Sequence, residues 1–188
     1  YMRAASRVVT GGEAIRQSLV RDQGFDGRRI VSVPTGVDLQ HFRPGDRAEA
    51  RRALELPDDG WPVLGIVASL RRAKGHHLLI EALAGLREPA RLLVVGDGPQ
   101  RAALEKQADA MLPPDRVRFA GRQADVLPWL QALDVFVLPT LHEGIPQSLS
   151  QAMGVGLCCV TTPVGGIPEI AVDGESALFV APGKVDEL

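Results

Sequence analysis

Between positions 134 and 153 the chain places a glutamate and a glycine at the junction of two apolar elements. The run Asp134-Val135-Phe136-Val137-Leu138 ends in a polar loop carrying His142, Glu143 and Gly144, and Pro146 then opens a segment with apolar residues at 149, 152 and 153. This pattern predicts a buried strand, a functional loop and a helix N-terminus. Such a junction favours an anion, because the first helical turn leaves backbone N–H groups without partners and the helix dipole adds about half a positive charge there. Gly144 lets the backbone come close to a ligand, and Pro146 costs nothing where its missing N–H is unneeded. A carboxylate beside a phosphate would be repelled, so Glu143 is expected to face hydroxyls. Phosphate and hydroxyls together suggest a nucleotide sugar.

A second group of charges, Arg71, Arg72 and Lys74, follows the apolar run Val63 to Ala68 and precedes another helical pattern. It reads either as a solvated charge run or as cations that neutralise a diphosphate leaving group, whose charge grows as its bond breaks. The sequence contains no Asp-x-Asp pair, so no metal site is expected and side-chain cations would have to do that work. Gly96-Asp97-Gly98-Pro99-Gln100-Arg101 begins like a dinucleotide fingerprint. Its third glycine is replaced by Arg101, however, and the next strand ends at Phe119-Ala120-Gly121 without the expected acid, which argues against a nicotinamide or flavin cofactor. Gly96 and Gly98 then form a tight turn, compatible with a ribose or base resting beside them. Gly165-Gly166 before Ile167-Pro168-Glu169 is a further glycine turn, read equally as simple turn chemistry or as pocket shaping. His76 and His77 lack partners at metal-ligand spacing and are expected to cap or decorate a helix start.

These residues need a frame that brings them together. Strands are expected at 8–9, 30–33, 63–68, 92–95, 117–120, 134–138, 157–161 and 177–180. Helices are expected at about 12–22, 47–55, 75–87, 99–110, 124–132 and 146–155, with a short one from about 167. Near-continuous apolar strands such as Val63-Leu64-Gly65-Ile66-Val67-Ala68 are buried on both faces, as in a parallel sheet. Strands alternating with helices through short loops give a doubly wound, Rossmann-like α/β fold whose ligands sit beyond the carboxyl ends of the strands. Lys74, Gly96, Glu143 and Gly165 each follow a strand, so they are expected on one rim.

Composition narrows the function. A chain of 188 residues with 45% hydrophobic content is long enough for one full domain with a sizeable core. Its net charge of −2 argues against a nucleic-acid partner. The two cysteines, Cys158 and Cys159, are adjacent in the apolar run Leu157 to Val160 and are expected as buried free thiols in a reducing compartment. No run of 18 apolar residues occurs, so no membrane span is expected. Both ends read as cut, the last residues Val185 to Leu188 looking like the start of a helix, so the chain is expected to be a fragment of a longer protein.

Five segments, in order, resemble the family 4 glycosyltransferases, retaining enzymes of the GT-B fold. They are Val33-Pro34-Thr35-Gly36-Val37-Asp38 with Phe42-Arg43-Pro44; Ser69 through Lys74-Gly75; Val94-Val95-Gly96-Asp97-Gly98-Pro99; Glu143-Gly144-Ile145-Pro146 through Gln151-Ala152-Met153; and Val164-Gly165-Gly166-Ile167-Pro168-Glu169. The resemblance implies the end of an acceptor-side domain and hinge over 1–44, and a nucleotide-sugar-binding domain over 45–188. It implies Glu143 as the catalytic contact to the donor sugar or its departing phosphate, the backbone of Gly144, Ile145, Pro146 and Gln147 around sugar and phosphate, and Lys74 on the diphosphate. The family's usual arginine falls on Ser69, leaving Arg71 or Arg72 to reach the phosphate from a shifted position. Its second glutamate falls on Gln151, which keeps an acceptor for the ribose through a neutral bond about half as strong. The implied partners are a nucleotide-diphosphate sugar and a saccharide or lipid-linked acceptor reached through the missing domain, without metal or cofactor. Polysaccharide or lipopolysaccharide synthesis in the cytoplasm is the expected setting, with a peripheral contact at the inner membrane face. A GT-B nucleotide-sugar epimerase and a non-catalytic nucleotide-binding module share the same residues.

Overall fold

The computed structural model describes residues 5–188. The chain opens with a small βαβ unit in which β1 (Val8–Thr10) pairs in parallel with β2 (Ile30–Ser32), and α1 (Glu13–Arg21) crosses between them. Val9 and Val31 are paired across this two-stranded sheet and remain 68% and 47% exposed. The extended segment after β2 leads to α2 (Arg47–Ala53), whose N-cap Asp46 accepts a hydrogen bond from Glu49 N at 3.0 Å.

Six strands then form one parallel sheet. They are β3 (Val63–Val67), β4 (Arg91–Val95), β5 (Val117–Gly121), β6 (Val135–Leu138), β7 (Cys158–Thr161) and the two-residue β8 (Leu178–Phe179), in the order β5-β4-β3-β6-β7-β8. The helices between them are α3 (His76–Gly85), α4 (Arg101–Met111), α5 (Leu127–Gln131) and α6 (Gln147–Gly154). Leu92, Leu93, Val94 and Val95 of β4 are all buried although neighbours on a strand point to opposite faces, which requires both faces to be covered. Ile66, Leu130, Phe136, Leu138 and Leu149 are fully buried in the same core, each contributing about 1.5–3 kcal/mol by its removal from water.

The order of strands determines where a ligand can enter. The chain builds outward from β3 to β5, then returns to the other side of β3 to place β6. Connections leaving β3 and β6 therefore depart in opposite directions, and a crevice opens at their carboxyl ends.

Four local expectations need correction. Helix α5 begins at Leu127, where Asp125 Oδ1 accepts from Leu127 N at 2.9 Å, a side-chain bond that holds the preceding residues in a turn. Residues 182–188 form turns without helix. His76 is 1% exposed and packed into the core, because the helical turn from Gly75 rotates it inward. Cys158 is exposed and only Cys159 is buried, since at the amino end of β7 the alternation of faces sends them apart; burial raises the Cys159 thiol pKa to about 12.

Candidate functional site

The crevice is framed by two loops locked to each other. The loop after β3 ends in a single 3-10 turn, Arg72–Lys74, followed by Gly75 in the left-handed conformation, φ 76°. A Cβ at Gly75 would overlap the carbonyl oxygen of Pro139 in the loop after β6, so this is a position for glycine on both conformational and steric grounds. Leu141 N and Thr140 Oγ1 both donate to the carbonyl of Ala73, at 2.7 and 2.9 Å. Thr162 Oγ1, beyond β7, donates to the carbonyl of Thr140 at 2.6 Å. Buried hydroxyls that satisfy loop carbonyls in this way hold the loops rigidly.

The result is a direct ion pair between Lys74 Nζ and Glu143 Oε1. The Glu143 side chain is 9% exposed and that of Lys74 24%. Around the pair lies a crevice of about 330 Å³, walled by Val67, Ala68 and Ser69 on the β3 side and by Ile145, Pro146, Gln147, Ser148 and Gln151 on the α6 side. This volume is at the lower end for small-molecule sites. Pro146 is the N-cap of α6 and provides no side-chain cap. The amides of Leu149 and Ser150 donate to the Pro146 carbonyl, whereas those of Gln147 and Ser148 have no partner among the described residues. The side-chain Nε2 of Gln147 is also buried without one. The α6 side thus offers several unsatisfied donors at a positive helix end and, in the loop before it, a carboxylate that can accept from hydroxyls, with Lys74 reaching across from the β3 side.

The structure therefore brings Lys74, Glu143, Ile145, Pro146, Gln147 and Gln151 into one crevice, with Gly144 in the loop behind them. Ser69 stands in the wall at the position of the family's arginine. Arg71 and Arg72 are exposed and lie outside the lining residues. Gly96 and Gly98 pack beneath the β3 loop: a Cβ at Gly96 would overlap the Ala68 carbonyl, and one at Gly98 would sit 2.7 Å from the Leu70 oxygen. Leu70 N donates to Asp97 O and Gln100 N to Leu70 O, each at 3.0 Å. The contribution of the Gln147 side chain and of Ser148 was not anticipated from sequence; their place at the first turn after Pro146 is the signal that points to them.

Two larger clefts, each of about 500 Å³, lie elsewhere, one near the amino ends of β6 and β7 and one beside β4 and β5. In these clefts Arg47 and Arg51 pair with Asp134, and Arg91 pairs with Asp59. Among the described residues no cluster of three or more His, Cys, Asp or Glu side chains could hold a metal, and no helix is long and apolar enough to cross a membrane.

Comparison with known proteins agrees with this frame. The 2-deoxystreptamine glucosyltransferase of Streptomyces kanamyceticus is 34% identical over the whole of this chain and 50% of its own length. D-inositol 3-phosphate glycosyltransferase 2 of Catenulispora acidiphila is 33% identical over 95% of this chain and 45% of its own length. The chain thus spans about half the length of the curated relatives it matches. Among solved structures, Anabaena Alr3699/HepE in complex with UDP-glucose superposes with a TM-score of 0.89 at 25% identity, covering 97% of this chain and 52% of that one. Residues 61–188 match the family model described as glycosyl transferases group 1, and the chain belongs to that family.

Proposed function

We propose that this chain is the donor-binding half of a retaining glycosyltransferase and that its crevice holds a nucleoside-diphosphate sugar. The observation that carries the reading is the Lys74–Glu143 pair facing the unpartnered amides of Gln147 and Ser148. Lys74 and those amides take the diphosphate, Glu143 the sugar hydroxyls, and Gln151 the ribose. Residues 1–44 then belong to the acceptor-side unit and hinge, with residues 1–4 of that span outside the described ones, and 45–188 form the donor domain. The acceptor, a saccharide or lipid-linked hydroxyl in polysaccharide or lipopolysaccharide synthesis, approaches from the side that the remainder of the protein covers.

Donor binding on this reading is an exchange of partners. Before binding, Lys74 and Glu143 neutralise each other; on binding, the phosphate takes Lys74 and the hydroxyls take Glu143. Neither charge is left buried and alone, the situation that would cost several kcal/mol. As the bond from the anomeric carbon to the phosphate oxygen breaks, negative charge grows on the diphosphate, where Lys74 and the positive end of α6 stabilise it without a metal ion.

A glucosyltransferase relative and a UDP-glucose complex among the similar structures support uridine diphosphate glucose as the first donor to try. Calorimetric titration with UDP, GDP, ADP and NAD should show binding of one nucleoside diphosphate and none of NAD. Lys74→Ala should weaken that binding by about 10- to 100-fold, the loss of one charge-assisted hydrogen bond. Unchanged affinity in the variant would remove Lys74 from the diphosphate site.

A further inference from the structure

We infer that Glu169 is a positioning residue that couples the docking of α1 to the geometry of the donor loop Glu143–Ile145. Helix α1 is preceded by Gly12, which is extended and offers no side-chain cap. Its first-turn amides are nevertheless satisfied: Glu13 N donates to Glu169 Oε2 at 2.8 Å and Ala14 N to Glu169 Oε1 at 2.7 Å. A carboxylate from more than 150 residues away thus does what an N-cap residue normally does locally, and it does so at the end of the helix where negative charge is favoured.

Glu169 closes the 3-10 turn that starts directly after Gly165 and Gly166, and those glycines press on the donor loop. Gly165 is left-handed, φ 59°, and a Cβ there would overlap the carbonyl oxygen of Glu143. Gly166 N donates to the Gly144 carbonyl at 2.8 Å, and a Cβ on Gly166 would come within 2.7 Å of Ile145 Cγ1. From the other side, a Cβ on Gly12 would lie 3.2 Å from both Ile145 and Glu169 Oε1. Ile145 is therefore enclosed between the start of α1 and the glycine turn, with Glu169 bonded across them. Glu143 faces the crevice from the same loop, so displacement of α1 would remove one of the supports of the loop that holds Glu143. Glu169 touches nothing in the crevice and acts only through this packing. The inference rests on reading the crevice as the donor site. It gives the acceptor-side unit a mechanical means of sensing donor occupancy.

Hydrogen exchange of the protein with and without UDP, with Glu169→Ala and Glu169→Gln compared with wild type, tests the coupling. First-turn amides have no intrahelical acceptor, so protection of Glu13 and Ala14 in wild type reports the Glu169 bond itself. In Glu169→Ala these two amides should exchange about tenfold faster, as expected for a lost cap. The amides of Leu141 and Gly166, which donate to the Ala73 and Gly144 carbonyls and hold the donor loop from both sides, should also exchange faster without any nucleotide, and UDP affinity should fall about tenfold. Glu169→Gln, which keeps one acceptor oxygen, should restore part of each effect. Faster exchange at 13 and 14 with no change at 141 and 166 would show a helix cap and nothing more, overturning the coupling, as would unprotected amides in wild type. If no nucleoside diphosphate binds wild type, the donor reading fails by itself, while the nucleotide-free exchange at 141 and 166 still decides the coupling.

Discussion

Glu143 and Lys74 are each other's partner before any ligand is present, and this sets what their substitution should do. On the proposed donor reading, Lys74 must leave Glu143 to reach a phosphate, so the ion pair would oppose binding of the bare nucleotide and be compensated only when sugar hydroxyls replace Lys74 at the carboxylate. Glu143→Gln should therefore bind UDP as tightly as wild type or up to about tenfold more tightly, since a neutral amide holds an ammonium less strongly than a carboxylate does. The same variant should lose the advantage of UDP-glucose over UDP. Paired titrations of the two ligands read both effects, and a fall in UDP affinity like that of Lys74→Ala would mean that Glu143 supports the phosphate. Both side chains were legible in the sequence because each stands in a polar loop directly after a buried apolar strand. Their pairing was not, because the partners are 69 residues apart and only the sheet order brings their strands together. Arg71 and Arg72 show the limit from the other side: a charge run beside a site has no direction until the 3-10 turn turns Lys74 inward and leaves them exposed.

At the scale of elements, buried hydroxyls tie the loops, whereas one buried polar side chain beside them is unpaired among the described residues and costly. His76, at the first turn of α3, is buried with neither ring nitrogen hydrogen-bonded among the described residues. Burial, with the charges of His77 and Lys74 adding to it, lowers its pKa from 6.5 to about 4. The unfolded chain therefore takes up a proton near pH 6.5 that the folded chain refuses until about pH 4. Across that window the unfolded state binds more protons, so stability falls as pH falls, at up to about 1.4 kcal/mol per pH unit. Urea unfolding at pH 7 and pH 4.5 should show His76→Leu losing about 2 kcal/mol less than wild type over that interval. Equal losses in the two proteins would mean that His76 is protonated in the folded state. The elements themselves were largely legible, because apolar runs such as Leu92 to Val95 and the stripe Leu79, Leu83 on α3 have unambiguous periods. What escaped was local: the start of α5 depends on the Asp125 side chain, and the outward turn of Cys158 depends on where β7 begins.

For the whole molecule, the central feature is the reversal of strand order at β3 and β6. It turns two separate strand-loop-helix units into opposite walls of one crevice, and it places the Gly96–Gly98 turn behind one wall and the Gly165–Gly166 turn behind the other. Composition and periodicity predicted a parallel sheet with its motifs on one rim, but not which strands are neighbours, since that depends on pairings between distant segments. The most direct measurement is a crystal structure of the protein with UDP. The diphosphate should lie within about 2.7–3.2 Å of Lys74 Nζ and of the amides of Gln147 and Ser148, with Lys74 released from Glu143. A nucleotide lodged in the cleft beside Arg47 and Arg51, with the Lys74–Glu143 pair intact, would contradict the account.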